Sequence, residues 1–304
     1  QVLAERMLKN KLGAIVAIDP RSGGIIAMAS GPTYDPNLLT GNQRRNNFSW
    51  MLRDTARPLF NRAIKGQYPP GSTIKPTGAL IALDEGVITP AFGLGCSGAY
   101  HGCRRSIGCT HKTSGHASSL RVALAYSCNS YFSHLYRLAV DNPRLGGTVN
   151  GYLRWKQYMN SFGLGVRLGV DLPSEDKGLI ADTSFYNRLY NRSWSSCTNV
   201  FLGIGQGEMQ ATPLQMANMM CIIANKGFYY TPHFVKSIGS KGPLSNFKIR
   251  KKTMVGIKHF EPVIEGMRRV VNENGGTARS ARLDEIVICG KTGTVQNPHG
   301  QDHS

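Results

Sequence analysis

Three short motifs carry side chains that could perform acyl chemistry together. Ser72-Thr73-Ile74-Lys75 sets a hydroxyl and an amine three residues apart, and on a helix positions i and i+3 share a face. A serine hydroxyl is a weak nucleophile until a base takes its proton, and a buried lysine of lowered pKa can serve. Ser127-Cys128-Asn129 follows some 55 residues on and offers a hydroxyl to relay protons and an amide to hold a carbonyl. Lys291-Thr292-Gly293-Thr294 comes near the end of the sequence. Its lysine can bind a carboxylate and, by like-charge repulsion, keep Lys75 neutral. Gly293 leaves space for an extended substrate to lie alongside as an added strand. Alone, each motif is weak, since S-x-x-K also occurs at ordinary exposed helix starts. Their order and spacing carry the signal.

These groups need elements to hold them. Pro69-Pro70-Gly71 punctuates the chain before Ser72, and Ile74, Ala79, Leu80 and Leu83 recur at helical spacing. Pro76 fits a first turn, where amides are spare, and Gly86 closes the helix. Leu120 to Leu138 has the pattern of one helix running through the second motif. Glu285 to Cys289 is a β-branched run that predicts a strand leading into the third. Elsewhere the spacing predicts a helix tail, then a hairpin of Gly13–Asp19 and Ile25–Ala29. Loop with short helical pieces follows over Ser30–Gln67, and Gly- and Cys-rich loop over 93–118. Further helices are expected over Tyr152–Phe162, Thr212–Asn225 (Thr212 as cap, Pro213 first) and Phe260–Val271. Strands near both ends and helices between them imply an α+β class, a helical lobe beside a sheet gathered from distant segments.

Composition narrows the partners. The 304 residues are 41% hydrophobic, enough for a sizeable core. The net charge of +18 favours anionic partners. The basic residues are scattered, and no zinc-finger, RNP or helix-turn-helix pattern is present, so no nucleic acid is expected as partner. A basic surface facing an anionic envelope is the better reading. The longest apolar candidate, Met216 to Ala224, is too short to span a membrane.

Seven cysteines cannot all pair internally. Cys96, Cys103 and Cys109 crowd into fourteen residues, with His111, His116 and Cys128 following. Thiolates plus imidazole suit tetrahedral zinc. The favoured set is Cys96, Cys109, His116 and Cys128, with His111 or Cys103 as substitutes; a disulfide or free thiols are the alternatives. Because Cys128 lies between Ser127 and Asn129, a metal there would staple the loop to a motif, in a structural role. Cys197, Cys221 and Cys289 read as buried thiols, His134 and His233 as surface or packing residues, and Trp50, Trp155 and Trp194 as core.

The ordered triplet is that of the serine penicillin-recognising enzymes, and the chain resembles the class B, monofunctional penicillin-binding proteins over nearly its whole length. GAIVAIDPRSGGIIAMAS, YPPGSTIKP, GIGQGEMQATPLQMA and GGTA at Gly275 to Ala278 carry the resemblance. YDPNLL and SCNSYF lean towards penicillin-binding protein 2, the elongation-type enzyme, over the septal type. The resemblance implies a transpeptidase fold shared with serine β-lactamases, an antiparallel sheet flanked by helices plus an all-helical lobe. It places the α/β part at about 1–70 and 200–304 and the helical lobe at about 71–199 of a single domain spanning 1–304. It also implies further strands after the third motif, so that the sequence stops short of the family's domain at both ends.

By the same resemblance the activity is peptidoglycan D,D-transpeptidation. Ser72 attacks the penultimate D-Ala of a stem peptide, Lys75 is the base, Ser127 relays a proton and Asn129 orients the donor amide. Lys291, Thr292 and Thr294 hold the carboxylate end, and the amides of Ser72 and Thr294 form an oxyanion hole. No catalytic cofactor is implied. The implied partners are stem peptides, β-lactams that acylate Ser72, and a membrane glycan polymerase of the elongation machinery. An anchor outside this sequence would tie the domain to the inner membrane, on the periplasmic side. A serine β-lactamase and a β-lactam sensor share the motifs; the absence of an E-x-x-L-N segment after Ser127 counts against the class A lactamase, and the TPLQMA segment favours the synthase.

Overall fold

The computed structural model describes residues 1–111 and 114–295, so Lys112 and Thr113 of the Cys-rich loop and the residues after Val295 lie outside the description. The chain folds as two compact units, each gathered from separated stretches: 1–68, 163–178 and 211–252 in one, 69–162, 179–210 and 253 onward in the other.

The first unit is organised by the antiparallel hairpin of Gly13–Ile18 and Ile25–Gly31, with a one-residue irregularity between Ala17 and Ile18. Helix Pro213–Ala224 packs on it. That helix begins as the sequence signals: Thr212 and Gln215 form a reciprocal capping box, and Pro213 occupies a position whose amide needs no partner. Gln215 is fully buried, and its Nε2 lies 2.9–3.0 Å from the carbonyls of Gly163, Val166 and Lys177. A second ladder pairs Phe228–Tyr230 with Arg250–Lys252. The Ser30–Gln67 stretch contains the short helices Pro36–Leu39, Arg44–Arg53 and Arg62–Lys65. Trp50, expected in a core, stands on Arg44–Arg53 with 62% of its surface exposed; Met51 takes the buried position of that helix instead.

The second unit is mainly helical. Lys75–Asp84, Leu120–Ala125, Asn129–Val140, Thr148–Ser161 and Phe260–Asn272 enclose Leu80, Leu124, Phe132, Leu135, Met159 and Val263. Helix Phe260–Asn272 sits close on Leu120–Ala125 because residue 266 is glycine: a Cβ there would lie 2.5 Å from Leu124 Cδ1.

Two elements differ from expectation. The helix predicted over Leu120–Leu138 is two helices, with Ser127 at φ +54° between them. The β-branched run Glu285–Cys289 is not in a ladder; Val287 is 70% exposed, and Cys289 is an exposed thiol rather than a buried one. A strand exists only against partner backbone, and among the described residues no strand pairs with this run. The four ladders present there are all antiparallel and two-stranded. No helix among the described residues is long and apolar enough to cross a membrane.

Candidate active site

All three motifs fall in the second unit. Gly71–Ile74 is a single 3-10 turn that runs straight into helix Lys75–Asp84, so Ser72 and Lys75 are one turn apart. Gly71 has φ +55°, donates its N–H to the Gly205 carbonyl at 2.8 Å, and would place a Cβ 2.8 Å from the Thr294 carbonyl oxygen. No side chain fits there, and the close approach brings the backbones of the first and third motifs together. Gly293 is equally constrained, since a Cβ on it would meet Thr73 Cγ2 at 2.9 Å.

Lys75 is completely buried. Its Nζ donates to the Ser127 carbonyl at 2.7 Å, Ser127 Oγ at 3.1 Å and Asn129 Oδ1 at 2.6 Å. Burial pushes its pKa well below the usual lysine range, and the Lys291 cation adds to the effect, against opposing pulls from Cys128 and Cys109. Lys291 donates to Ser127 Oγ at 2.8 Å and to the Thr292 carbonyl and hydroxyl at 3.1 and 3.2 Å. Burial lowers it to about 7.

The left-handed backbone of Ser127 thus puts one hydroxyl between two amines, while its own carbonyl caps the first. With Lys75 neutral, that hydroxyl can accept from Lys291 and donate to the Lys75 lone pair, a two-way proton relay. Ser72 lines a cleft of about 710 Å³ together with Ser127, Asn129, Thr292, Gly293 and Thr294.

The same cleft exposes residues that the motifs did not single out. Thr277, inside the GGTA segment, meets Thr292 Oγ1 at 2.9 Å, and its amide is tied to the Ala125 carbonyl at the end of the helix before Ser127. Gly108 accepts the Asn129 amide at 2.7 Å, so one face of Asn129 holds Lys75 and the other holds the Cys-rich loop. The GGTA segment stands out only by its resemblance, and nothing in the sequence signals either contact.

The metal candidates assemble with one exchange. Cys96 and Cys109 Sγ are 3.8 Å apart, Cys109 and Cys128 Sγ 4.0 Å, and His111 completes a set whose ligand atoms all lie within 4.8 Å of one another. His116, expected as the fourth ligand, instead packs its ring against His111 at 4.1 Å and Tyr126 at 4.2 Å. Which of two neighbouring histidines reaches the sulfurs depends on the path of the loop, and spacing does not specify it. A tetrahedral site with Zn–S bonds of about 2.3 Å has sulfur–sulfur edges near 3.8 Å, so the donor set fits that ion. Cys109 is held down to about 4, first by the hydrogen bond from Cys128 and then by Ser130; the same bond and burial push Cys128 up. Cys103 is no substitute ligand, because it forms a disulfide with Cys197, which is therefore not a free thiol. Arg137 reinforces that tie, donating to the Gly102 carbonyl at 2.7 Å and to Ser196 Oγ at 3.1 Å.

Residues 13–304 match the model of the penicillin binding protein transpeptidase domain. A peptidoglycan D,D-transpeptidase MrdA from Acinetobacter baumannii is 35% identical over 301 residues, covering 97% of this chain and 43% of the relative. The chain therefore spans less than half the length of that protein. Among solved structures, Pseudomonas aeruginosa PBP2 in complex with WCK 5153 superposes with a TM-score of 0.84 at 34% identity, over 96% of this chain and 65% of that one. Helicobacter pylori PBP2 in complex with MreC gives 0.81 at 28% identity, over 96% and 52%. With the Ser72–Lys75 turn, the Ser127 relay and the Lys291 segment converging on one cleft, and with this match over nearly its whole length, the chain belongs to the penicillin-binding protein transpeptidase family.

Proposed function

We propose that this chain is the acyl-transferring domain of a peptidoglycan D,D-transpeptidase. The observation that supports it most is the hydrogen-bonded series Lys75–Ser127–Lys291 beside Ser72 in the cleft. Neutral Lys75 takes the Ser72 proton as Ser72 Oγ attacks the penultimate D-Ala carbonyl of a stem peptide, with Asn129 orienting the amide. The developing oxyanion is held by the backbone amides of Ser72 and Thr294, from segments whose backbones approach at Gly71. Ser127 passes a proton from the Lys75 side to the leaving D-Ala nitrogen, and the C–N bond breaks. Lys291, Thr292 and Thr294 hold the terminal carboxylate. An amine of a second stem peptide then attacks the ester, forming the cross-link and freeing Ser72. β-Lactams enter the same path and remain as an ester on Ser72.

Cys96, Cys109, His111 and Cys128 would hold a structural zinc ion, whose chemistry is to fix four side chains and activate nothing, since no coordination position stays open. Cys128 sits between the relay serine and Asn129, so the ion would brace the second motif. The whole protein would act from the periplasmic face of the inner membrane through an anchor outside this sequence. MreC in the Helicobacter complex indicates one kind of partner to expect, and a membrane glycan polymerase would be another.

The test is incubation with a fluorescent penicillin, read by intact mass and peptide mapping. The expected result is a single adduct on Ser72 that persists for many minutes and is absent in Ser72→Ala. Rapid turnover of the drug would instead mark a lactamase, and label on another residue would overturn the assignment of Ser72.

A further inference from the structure

We propose that the 234–252 loop of the first unit seats on an anionic lipid surface. The loop has a fixed root. Asp171 accepts the amides of Phe234 and Val235 at 2.8 and 2.9 Å, and the buried Phe247 ring stacks on His233 at 4.6 Å. The Phe228–Tyr230/Arg250–Lys252 ladder closes it. Its tip is a tight turn in which Ile238 and Lys241 exchange both backbone hydrogen bonds, at 2.9 and 3.1 Å, around Gly239 at φ +59°.

From this rooted frame three aliphatic side chains project into solvent: Ile238, Leu244 and Ile249, at 58%, 52% and 59% exposure. Lys236, Lys241, Lys248 and Lys252 are exposed among them. The whole stretch from 211 to 252 contains no Asp or Glu. None of these residues lines the cleft that holds Ser72.

The side-chain chemistry selects the occupant. Nucleic acid would be read by free arginines and aromatic faces. The loop's one arginine, Arg250, is engaged with the Tyr230 hydroxyl at 2.9 Å and the Phe228 ring at 4.8 Å, and its half-exposed Phe234 lies at the root beside Asp171, away from the tip. Bare aliphatic tips gain only by entering an apolar phase. Lysines alongside them have stems long enough to keep the ammonium at headgroup phosphates while those tips go deeper. An anionic bilayer surface offers both environments at the right depths, and each lysine there favours partitioning by roughly fivefold.

The experiment is co-sedimentation of the purified chain with phosphatidylglycerol–phosphatidylcholine vesicles and with pure phosphatidylcholine vesicles, at low and high salt. Binding to the anionic vesicles, weakened by salt, is expected, with little binding to the neutral ones. The triple variant K236E/K241E/K248E should lose at least about a hundredfold, the value for neutralisation alone. I238S/L244S/I249S should lose tenfold or more. Both should keep the parent melting temperature and penicillin labelling at Ser72. Ile238→Trp, read as quenching by brominated lipid in excess of that of the parent chain with its three tryptophans, reports insertion independently of the triple variants. No binding to either vesicle would overturn the proposal. So would an undiminished affinity in the serine triple variant, or quenching in Ile238→Trp no greater than the parent's, either of which would mean a charge-only surface that any polyanion or acidic protein could cover.

Discussion

At the scale of single residues, the proposed chemistry needs two amines in opposite protonation states. As the proposed base Lys75 must be neutral, which burial favours; as the proposed carboxylate ligand Lys291 must be charged, which holds below about 7. The kcat/KM for a carboxylate-bearing donor should therefore rise with pH as Lys75 deprotonates and fall as pH passes upward through about 7. In Lys291→Arg the guanidinium stays charged, so the alkaline limb should move out of range while the maximum drops; a pH–rate profile checks both. Thr277→Val should leave Thr292 Oγ1 one partner short and lower kcat/KM by about fivefold, corresponding to about 1 kcal/mol, with Thr277→Ser close to the parent enzyme. The grouping of Ser72, Lys75, Ser127, Asn129 and Lys291 in one place was legible in the sequence because motifs fix residue type and local spacing together. Thr277, His111 in place of His116, and the Cys103–Cys197 pair were not, because each depends on where a loop or a distant segment arrives.

Elements carry the next lesson at the second motif. Periodicity continues from Leu120 to Leu138, yet the helix breaks, and the break orders the cleft: Ser127 in the left-handed region points its hydroxyl and its carbonyl at the same lysine. A non-glycine residue in that conformation costs about 1–2 kcal/mol. Ser127→Gly should therefore melt at or above Ser127→Ala while both lose acylation; thermal melts beside penicillin-labelling rates separate the backbone effect from the chemical one. Helix Pro213–Ala224 was legible to within a residue, since its cap, first-turn proline and capping box are all local. The Glu285–Cys289 run could not be settled from its own residues, because β-branching gives a strand propensity and the pairing partner decides.

Across the whole molecule, a disulfide, a sulfur–imidazole cluster and a side-chain hydrogen bond concentrate on one segment. Residues 96–111 are held by the sulfur–imidazole cluster, by Asn129 through Gly108, and by a disulfide that closes a loop of 94 residues. Loop-closure entropy for that length is worth up to roughly 4–5 kcal/mol. Cys103→Ser with Cys197→Ser should lower the melting temperature by roughly 5–15 °C, measured by circular dichroism. The resemblance divides the chain at about 70 and 200; the interleaving of 163–178 and of 253 onward was not legible, because no local signal marks those crossings.

The three sulfurs of Cys96, Cys103 and Cys109 have different destinies within fourteen residues, which makes maturation a sorting problem. Cys103 must find a partner far along the chain while two nearer thiols compete for it. An ion captured by Cys96, Cys109, His111 and Cys128 would act as a protecting group in the synthetic chemist's sense, masking the wrong nucleophiles until the right bond has formed. Refolding in a glutathione redox buffer should give the 103–197 bridge cleanly when zinc is supplied. With a chelator present, disulfide mapping by mass spectrometry should find Cys103 joined to Cys96 or Cys109.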